Sequence, residues 1–236
     1  MEGLDPLYPS AVECLQCGHS FQTMRVRPSF KRAVRSDPDF CLYYKDINAD
    51  YYVVRVCPKC GFASTPSFSP VFKPEQKKLF QERIGSRWGG KDFSGKRTWK
   101  DALEAYKLAL VCAQIKQEND RLIAGLLHHI AWLYREVNDA ENEKKYLEFA
   151  LEAYVRAYQN DRESDRDAKL MYLIGELNRR LGRYHEAARW FARVIHDKRI
   201  TDAAMIQASR QQWAAMREEM LLRDMKPPEA ADAAPS

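Results

Sequence analysis

Hydrophobic positions follow two different rhythms along this chain. Between residues 11 and 62 apolar and polar side chains alternate in short β-type runs, Phe21–Val26 and Tyr51–Val56. Each run leads into or out of a pair of cysteines, which predicts strands feeding two tight turns. Turn formers then crowd together at Ser64, Thr65, Pro66, Ser67, Ser69, Pro70 and Pro74 and mark the edge of this head. From Thr98 onward the spacing becomes helical. Thr98 with Asp101 predicts a capped start, and Ala102, Tyr106, Ala109 and Ala113 fall on one face. A second stripe, Ile123, Leu127, Ile130, Tyr134 and Val137, stops at Asn138-Asp139. A third helix is expected from Ala140 past Tyr154. A fourth opens at Ser164 with Asp167 and closes at Gly182, and two more cover Tyr184–Ile195 and Asp202–Leu222. The end, PPEAADAAPS, reads as a disordered tail.

The helices carry an internal repeat. In MYLIGELNRRLGRYHEAARWFARVI, the residues Gly175, Gly182, Tyr184, Ala187, Phe191 and Val194 match the spacing of a tetratricopeptide unit. Small residues let paired helices approach, and aromatics fill the space between pairs. AWLYREVNDAENEKKYLEFAL is a weaker copy: Ala131, Tyr134 and Ala150 fit, but Glu143 stands where a small residue is usual. Ala131 and Gly175 are 44 residues apart, which implies an extended helix or linker. Ala102, Tyr106 and Ala109 resemble the second helix of a partial unit. The fold class expected is therefore mainly α, with a small β-containing, zinc-ribbon-like N-terminal head and a body of tetratricopeptide-like antiparallel helix pairs. Its boundaries are a head at 1–72, a basic connector at 73–97, a helical domain at 98–223 and a tail at 224–236.

Cys14 and Cys17 lie in CLQCG, Cys57 and Cys60 in CPKCG. Each pair puts two thiols on one turn, and the following glycine, Gly18 or Gly61, lets the backbone fold its amides toward sulfur. Four soft ligands in two such knuckles suit a structural, tetrahedral zinc. The 39 residues between Cys17 and Cys57 must then fold back on themselves. A segment of about 50 residues buries too little apolar surface to fold securely alone. A structural zinc supplies on the order of 10–16 kcal/mol of apparent binding energy and closes that gap. Neither CxxC opens a helix after a strand, which argues against a thioredoxin-type site. Cys41 could displace one of the four ligands, react as a free thiol or be a small buried apolar residue; Cys112 reads as core, and His19 as a spare ligand candidate or a surface imidazole beside the first knuckle.

Charge refines this picture. The net +5 is uneven, with nine Lys/Arg against three Asp/Glu in residues 73–100. Arg25, Arg27, Lys31, Arg32 and Arg35 form an acid-free stretch followed by Tyr43, Tyr44, Tyr51 and Tyr52. Cations interleaved with aromatics can hold phosphates and stack bases, or can simply alternate with a small tyrosine-covered core. GKDFSGKR, from Gly90 to Arg97, imitates a phosphate loop, but Arg97 replaces the hydroxyl that would hold magnesium. His128 and His129 diverge on a helix and cannot chelate together. No residue set forms a nucleophile or acid/base constellation, so no catalysis is expected. The start lacks a secretory pattern and no run is long enough to span a bilayer, which places the chain in the cytoplasm, without a membrane partner.

The segments CLQCGHSF, VRPSFKRAVRSDPDFCLYY, YYVVRVCPKCGFAS, DFSGKRTWKDALEAYKLALVCAQ and HHIAWLYRE occur in an order that resembles a bacterial family catalogued as domain of unknown function 2225. The resemblance implies metal binding and a cysteine head joined to helices, and it carries no activity. The leading expectation is an intracellular zinc-binding adaptor that takes a protein or peptide partner in a helical-repeat groove. The alternatives are nucleic-acid binding through the basic loop and connector, or a thiol/zinc redox sensor in which Cys41 resolves an oxidised ligand.

Overall fold

A computed structural model describes residues 4–160 and 167–226. Ser164 and the tail from Pro227 lie outside them. The chain divides into two compact units, Met1–Ser36 with Leu42–Glu143, and Asp37–Cys41 with Lys144–Ser236. The first unit thus takes in the head, the connector and the helices up to Glu143, whereas a boundary at 72 was expected from composition.

The first unit begins with three separate two-stranded ribbons. β1 (Leu7–Glu13) pairs antiparallel with β2 (Ser20–Val26), so that Leu7 faces Val26 and Glu13 faces Ser20. β3 (Ala33–Ser36) pairs with β4 (Leu42–Tyr44), and β5 (Arg55–Val56) with β6 (Ala63–Ser64). The predicted strand over Tyr51–Val56 shrinks to its last two residues. Its beginning coils into a 3₁₀ turn, Ala49–Tyr52, because the Asn48 side chain accepts the Asp50 amide and starts the turn. The turn buries Ala49 and Tyr52 against Val26, which forms the small core of the head.

The segment read as a connector is structured and packed. It contains α1 (Pro74–Arg83), whose Gln76 amide nitrogen donates to the Lys116 carbonyl at 2.7 Å. Arg97, at the end of the phosphate-loop look-alike, is buried. Its guanidinium donates to the carbonyls of Tyr51 at 2.8 Å, Val54 at 2.7 Å and Phe93 at 3.1 Å. A buried guanidinium is costly unless its donors are taken up, and here the loop backbone takes up three of them. No strand precedes Gly90, as a phosphate loop would require.

Two helices complete this unit. α2 (Trp99–Lys116) starts at the predicted Thr98–Asp101 capping box, and α3 (Asp120–Glu136) starts at Asn119, whose side chain accepts the Leu122 amide. Between them Lys116 and Glu118 form a buried ion pair at 2.6 Å, and Glu118 also accepts the Ser69 amide at 3.0 Å.

The second unit holds most of α4 (Ala140–Asn160), α5 (Ala168–Arg180), α6 (Tyr184–His196) and α7 (Ala203–Leu222). α5 closes on Gly182 at φ +74°, with the Gly182 amide donating to Arg179 and the Arg183 amide to Asn178. This double closure leaves few orphan carbonyls and folds α6 back on α5. α3 ends in the same way on Asn138 at φ +58°. Gly175 lies under the buried Phe191 ring, and a Cβ there would sit 2.7 Å from it. In the weaker repeat copy, Glu143 pairs with Arg135 at 2.7 Å, which accounts for a charged residue at a usually small position.

Mid-helix glycines at 125 and 175 separate packing from propensity. Gly175→Ala should lower stability by about 1–3 kcal/mol through overpacking against Phe191. Gly125 has no atom within 4 Å of the missing Cβ, so Gly125→Ala should raise stability by about 1 kcal/mol. Urea midpoints at unchanged slope would check both.

Candidate metal centre

The two cysteine knuckles are the same loop built twice. In the first, β1 ends at Glu13 and β2 begins at Ser20; in the second, β5 ends at Val56 and β6 begins at Ala63. The Cys14 amide donates to the His19 carbonyl at 3.0 Å and the Gly18 amide to the Cys14 carbonyl at 2.9 Å. The Cys57 amide donates to Phe62 at 3.0 Å and the Gly61 amide to Cys57 at 2.8 Å, repeating the pattern. Gly18 and Gly61 both adopt positive φ, +66° and +76°, where an L side chain is disfavoured. The backbone amides freed by this turn aim at sulfur: those of Gln16 and Cys17 reach Cys14, and those of Lys59 and Cys60 reach Cys57.

All four Sγ atoms lie within 4.8 Å of one another, with Cys14 to Cys60 at 3.6 Å and Cys17 to Cys57 at 3.8 Å. None of the four is in a disulfide. Thiolates bound at about 2.3 Å around a tetrahedral ion are separated by roughly 3.8 Å, so the sulfur spacing fits a metal ion. Three of the four are buried and Cys17 is exposed, which sets the centre at the edge of the head.

Without a cation Cys14, Cys57 and Cys60 do not ionise together. A hydrogen bond from the Cys60 thiol holds Cys14 down at about 5, and that same bond with burial pushes Cys60 well up. Burial pushes Cys57 up to about 11. One thiolate is accommodated, and further negative charge in this space needs a dication. The four sulfurs could supply all the ligands of a tetrahedral ion.

Residues outside the cysteines hold the knuckles in place. Gln16 donates to the Lys77 carbonyl of α1 at 3.2 Å, and the Trp88 indole donates to the Pro58 carbonyl at 2.8 Å while its ring covers Gly61. These anchors come from the segment whose composition had suggested a solvated linker.

The other candidates separate. Cys112 is buried on α2, accepts the Ala63 amide at 3.4 Å, and burial pushes its thiol up to about 12. Cys41 is buried in the segment that belongs to the second unit and is outside the four-sulfur group. The His19 ring is also outside it. His128 and His129 pack on Trp132, with ring centroids 4.6 and 4.4 Å away, and His129 also stacks on Tyr106. The basic stretch divides: Arg27 covers Tyr8 and donates to the Asp5 carbonyl, Arg35 lies 3.8 Å from the Tyr43 ring centroid, and Arg25 and Lys31 line a separate small cavity. Tyr52 is spent in the core and Tyr51 donates to Glu136 at 2.6 Å.

Sequence reasoning missed a second arrangement, in SDPDFC. Within the second unit, Tyr172 donates to the Pro38 carbonyl at 2.8 Å, and its ring lies 5.5 Å from that of Phe40. Arg180 approaches Asp37 at 3.6 Å and Asp39 at 3.4 Å, and Lys169 lies over the Phe40 ring. Phe40 takes φ +67°, uncommon for a residue with a side chain. That strain is maintained by contacts far away in sequence, which no local signal announces.

The fold and site define a mostly helical chain with small antiparallel strand pairs at the N-terminus and a four-cysteine cluster in the head that could hold a metal ion. The chain belongs to the bacterial family described as domain of unknown function 2225, an uncharacterized protein conserved in bacteria, whose match covers residues 7–216. No curated protein and no solved structure matches it significantly. No helix among the described residues is long and apolar enough to cross a membrane.

Cys57→Ser should abolish stoichiometric metal binding, while Cys41→Ser and Cys112→Ala retain it, as read by elemental analysis of the purified chain. Because the metal-free Cys57 and Cys60 thiols hold their protons at neutral pH, metal binding must displace them. Affinity should therefore fall as pH is lowered, measured by competition with a chromogenic chelator.

Proposed function

We propose that this protein is a cytoplasmic, zinc-held adaptor without catalytic activity, in which the tetratricopeptide-like helical body receives an extended segment of a protein partner. Zinc is the metal preferred by a closed shell of four thiolates with no redox demand. Cysteines left unbridged in close pairs are typical of a reducing compartment. The observation that carries the adaptor reading is the seating of Asp37–Cys41 in the second unit. There the helices already hold a short acidic and aromatic segment through one carbonyl, one ring and two carboxylates. A partner segment of the same chemistry would use the same groups. Helix-pair bodies present such surfaces by geometry, and the identity of the occupant depends on the side chains lining them.

Two measurements test the two halves separately. Purified protein should contain about one zinc per chain; stoichiometric iron in its place would remove the zinc assignment. A synthetic SDPDFS peptide should bind the full chain carrying Asp39→Ala and Phe40→Ala about ten-fold more tightly than the wild type, whose own segment competes at high effective concentration. If neither chain binds the peptide by fluorescence anisotropy at millimolar concentration, the adaptor reading fails whatever the metal.

A further inference from the structure

Beside the 3₁₀ turn of the head, the first unit has a partly open cavity of about 100 Å³. Three of its lining side chains are basic: Arg25 from β2, Lys31 just after it, and Arg55 from β5. None of the three forms a salt bridge among the described residues. The carboxylate whose field reaches this group is Asp50, which acts on Lys31. Thr23, one strand alternation from Arg25, also lines the cavity. It is 2% exposed, and its hydroxyl has no hydrogen-bond partner in the protein.

Each of these facts is unfavourable for the protein alone. A buried hydroxyl without a partner is destabilising, and a valine would fill the same space without that cost. Like charges drawn around one small space repel one another. Both penalties are relieved by a compact anion with several acceptor oxygens. Guanidinium and ammonium groups donate to such oxygens and a threonine hydroxyl can donate as well.

We infer that Arg25, Lys31, Arg55 and Thr23 form a binding site for a phosphate dianion, either free phosphate or the terminal phosphoryl group of a monoester. Size selects this class. The cavity has room for a tetrahedral oxyanion and too little for a nucleoside. A phosphodiester within a nucleic-acid strand carries one charge where a terminal phosphate carries up to two, and so answers three basic groups less well. The inference goes beyond the adaptor reading and stands whether or not a peptide binds the second unit.

The test uses the metal-loaded full chain, titrated by calorimetry with inorganic phosphate, phenyl phosphate and dimethyl phosphate at fixed ionic strength. Inorganic phosphate should bind and raise the melting temperature relative to chloride. Phenyl phosphate binding as well assigns a monoester; its failure beside inorganic phosphate assigns the free ion. Dimethyl phosphate should not bind. Arg25→Gln, on an exposed stem, should weaken phosphate about ten-fold. Thr23→Val should weaken it also, yet melt higher than wild type without phosphate, a combination that a purely structural threonine would not produce. The site is refuted if millimolar phosphate binds no better than chloride, if both variants bind like wild type, or if an oligonucleotide lacking terminal phosphates binds in place of the monoesters.

Discussion

The convergence of four unbridged cysteine sulfurs within 4.8 Å, a space that could hold a metal ion, is the constraint on which the head depends. The ribbons that carry the knuckles are short, the second only two residues per strand, and the apolar core beside them centres on Val26, Ala49 and Tyr52. Two-stranded ribbons of this size are marginal in water. Joining Cys17 to Cys57 through a metal confines the 39 residues between them, and the loop-closure entropy lost by the unfolded chain is part of the stabilisation. The sulfurs are also mutually repulsive once ionised, so without the ion the cluster falls back on thiol–thiolate hydrogen bonds that can satisfy only part of it.

The metal does not act on an isolated module. Trp88 and α1 brace the two knuckles from the far side of the turn-rich stretch, and Arg97 draws three carbonyls of the loop and connector around one guanidinium. Cys112 receives the Ala63 amide just beyond the second knuckle, so α2 touches the same ribbon through a thiol that is not a ligand. These contacts explain why the first compact unit runs through to Glu143. The basic residues of the segment read as a connector thus include the buried Arg97, whose Nε and Nη1 are taken up by backbone carbonyls while Nη2 has no partner in the protein.

What could be read in advance was what is encoded locally. CxxCG spacing reports a knuckle because a positive-φ glycine must follow the second thiol, and Gly18 and Gly61 adopt that conformation. Helices announced themselves through stripes and caps: Thr98 with Asp101 starts α2, Asp167 accepts the Leu170 amide at the start of α5, and Gly182 ends it. Features held by distant partners were not legible. α1 buries only Gln76 and Phe80, too few positions to draw a stripe. β1 contains Pro9, which reads as a strand breaker and is tolerated in a two-stranded ribbon. Tyr51–Val56 has strand composition, but a side-chain cap from Asn48 turned its first half into a 3₁₀ turn. The docking of Asp37–Cys41 spans more than 130 residues of sequence, and nothing near Phe40 indicates Tyr172 as its partner.

Buried and half-buried charge in the two units is handled in opposite ways, and the contrast bears on what each unit can bind. In the second unit Glu176 is fully buried on α5, yet Arg179 and Arg180 both donate to it at 2.8 Å. Arg180 still has donors left, and Asp37 and Asp39 approach them, so that network is completed by groups of the chain itself. An external acidic segment could enter there only by exchange with the internal one. In the first unit Lys116 and Glu118 likewise neutralise each other in the interior. Arg25 and Lys31, both exposed, and half-buried Arg55 stand apart from these interior pairs: they line one partly open cavity with Thr23, whose buried hydroxyl has no partner in the protein. Three cations lining one small space, with no salt bridge to any of them among the described residues, favour an acceptor-rich anion there, which is the arrangement the inferred phosphate site would use.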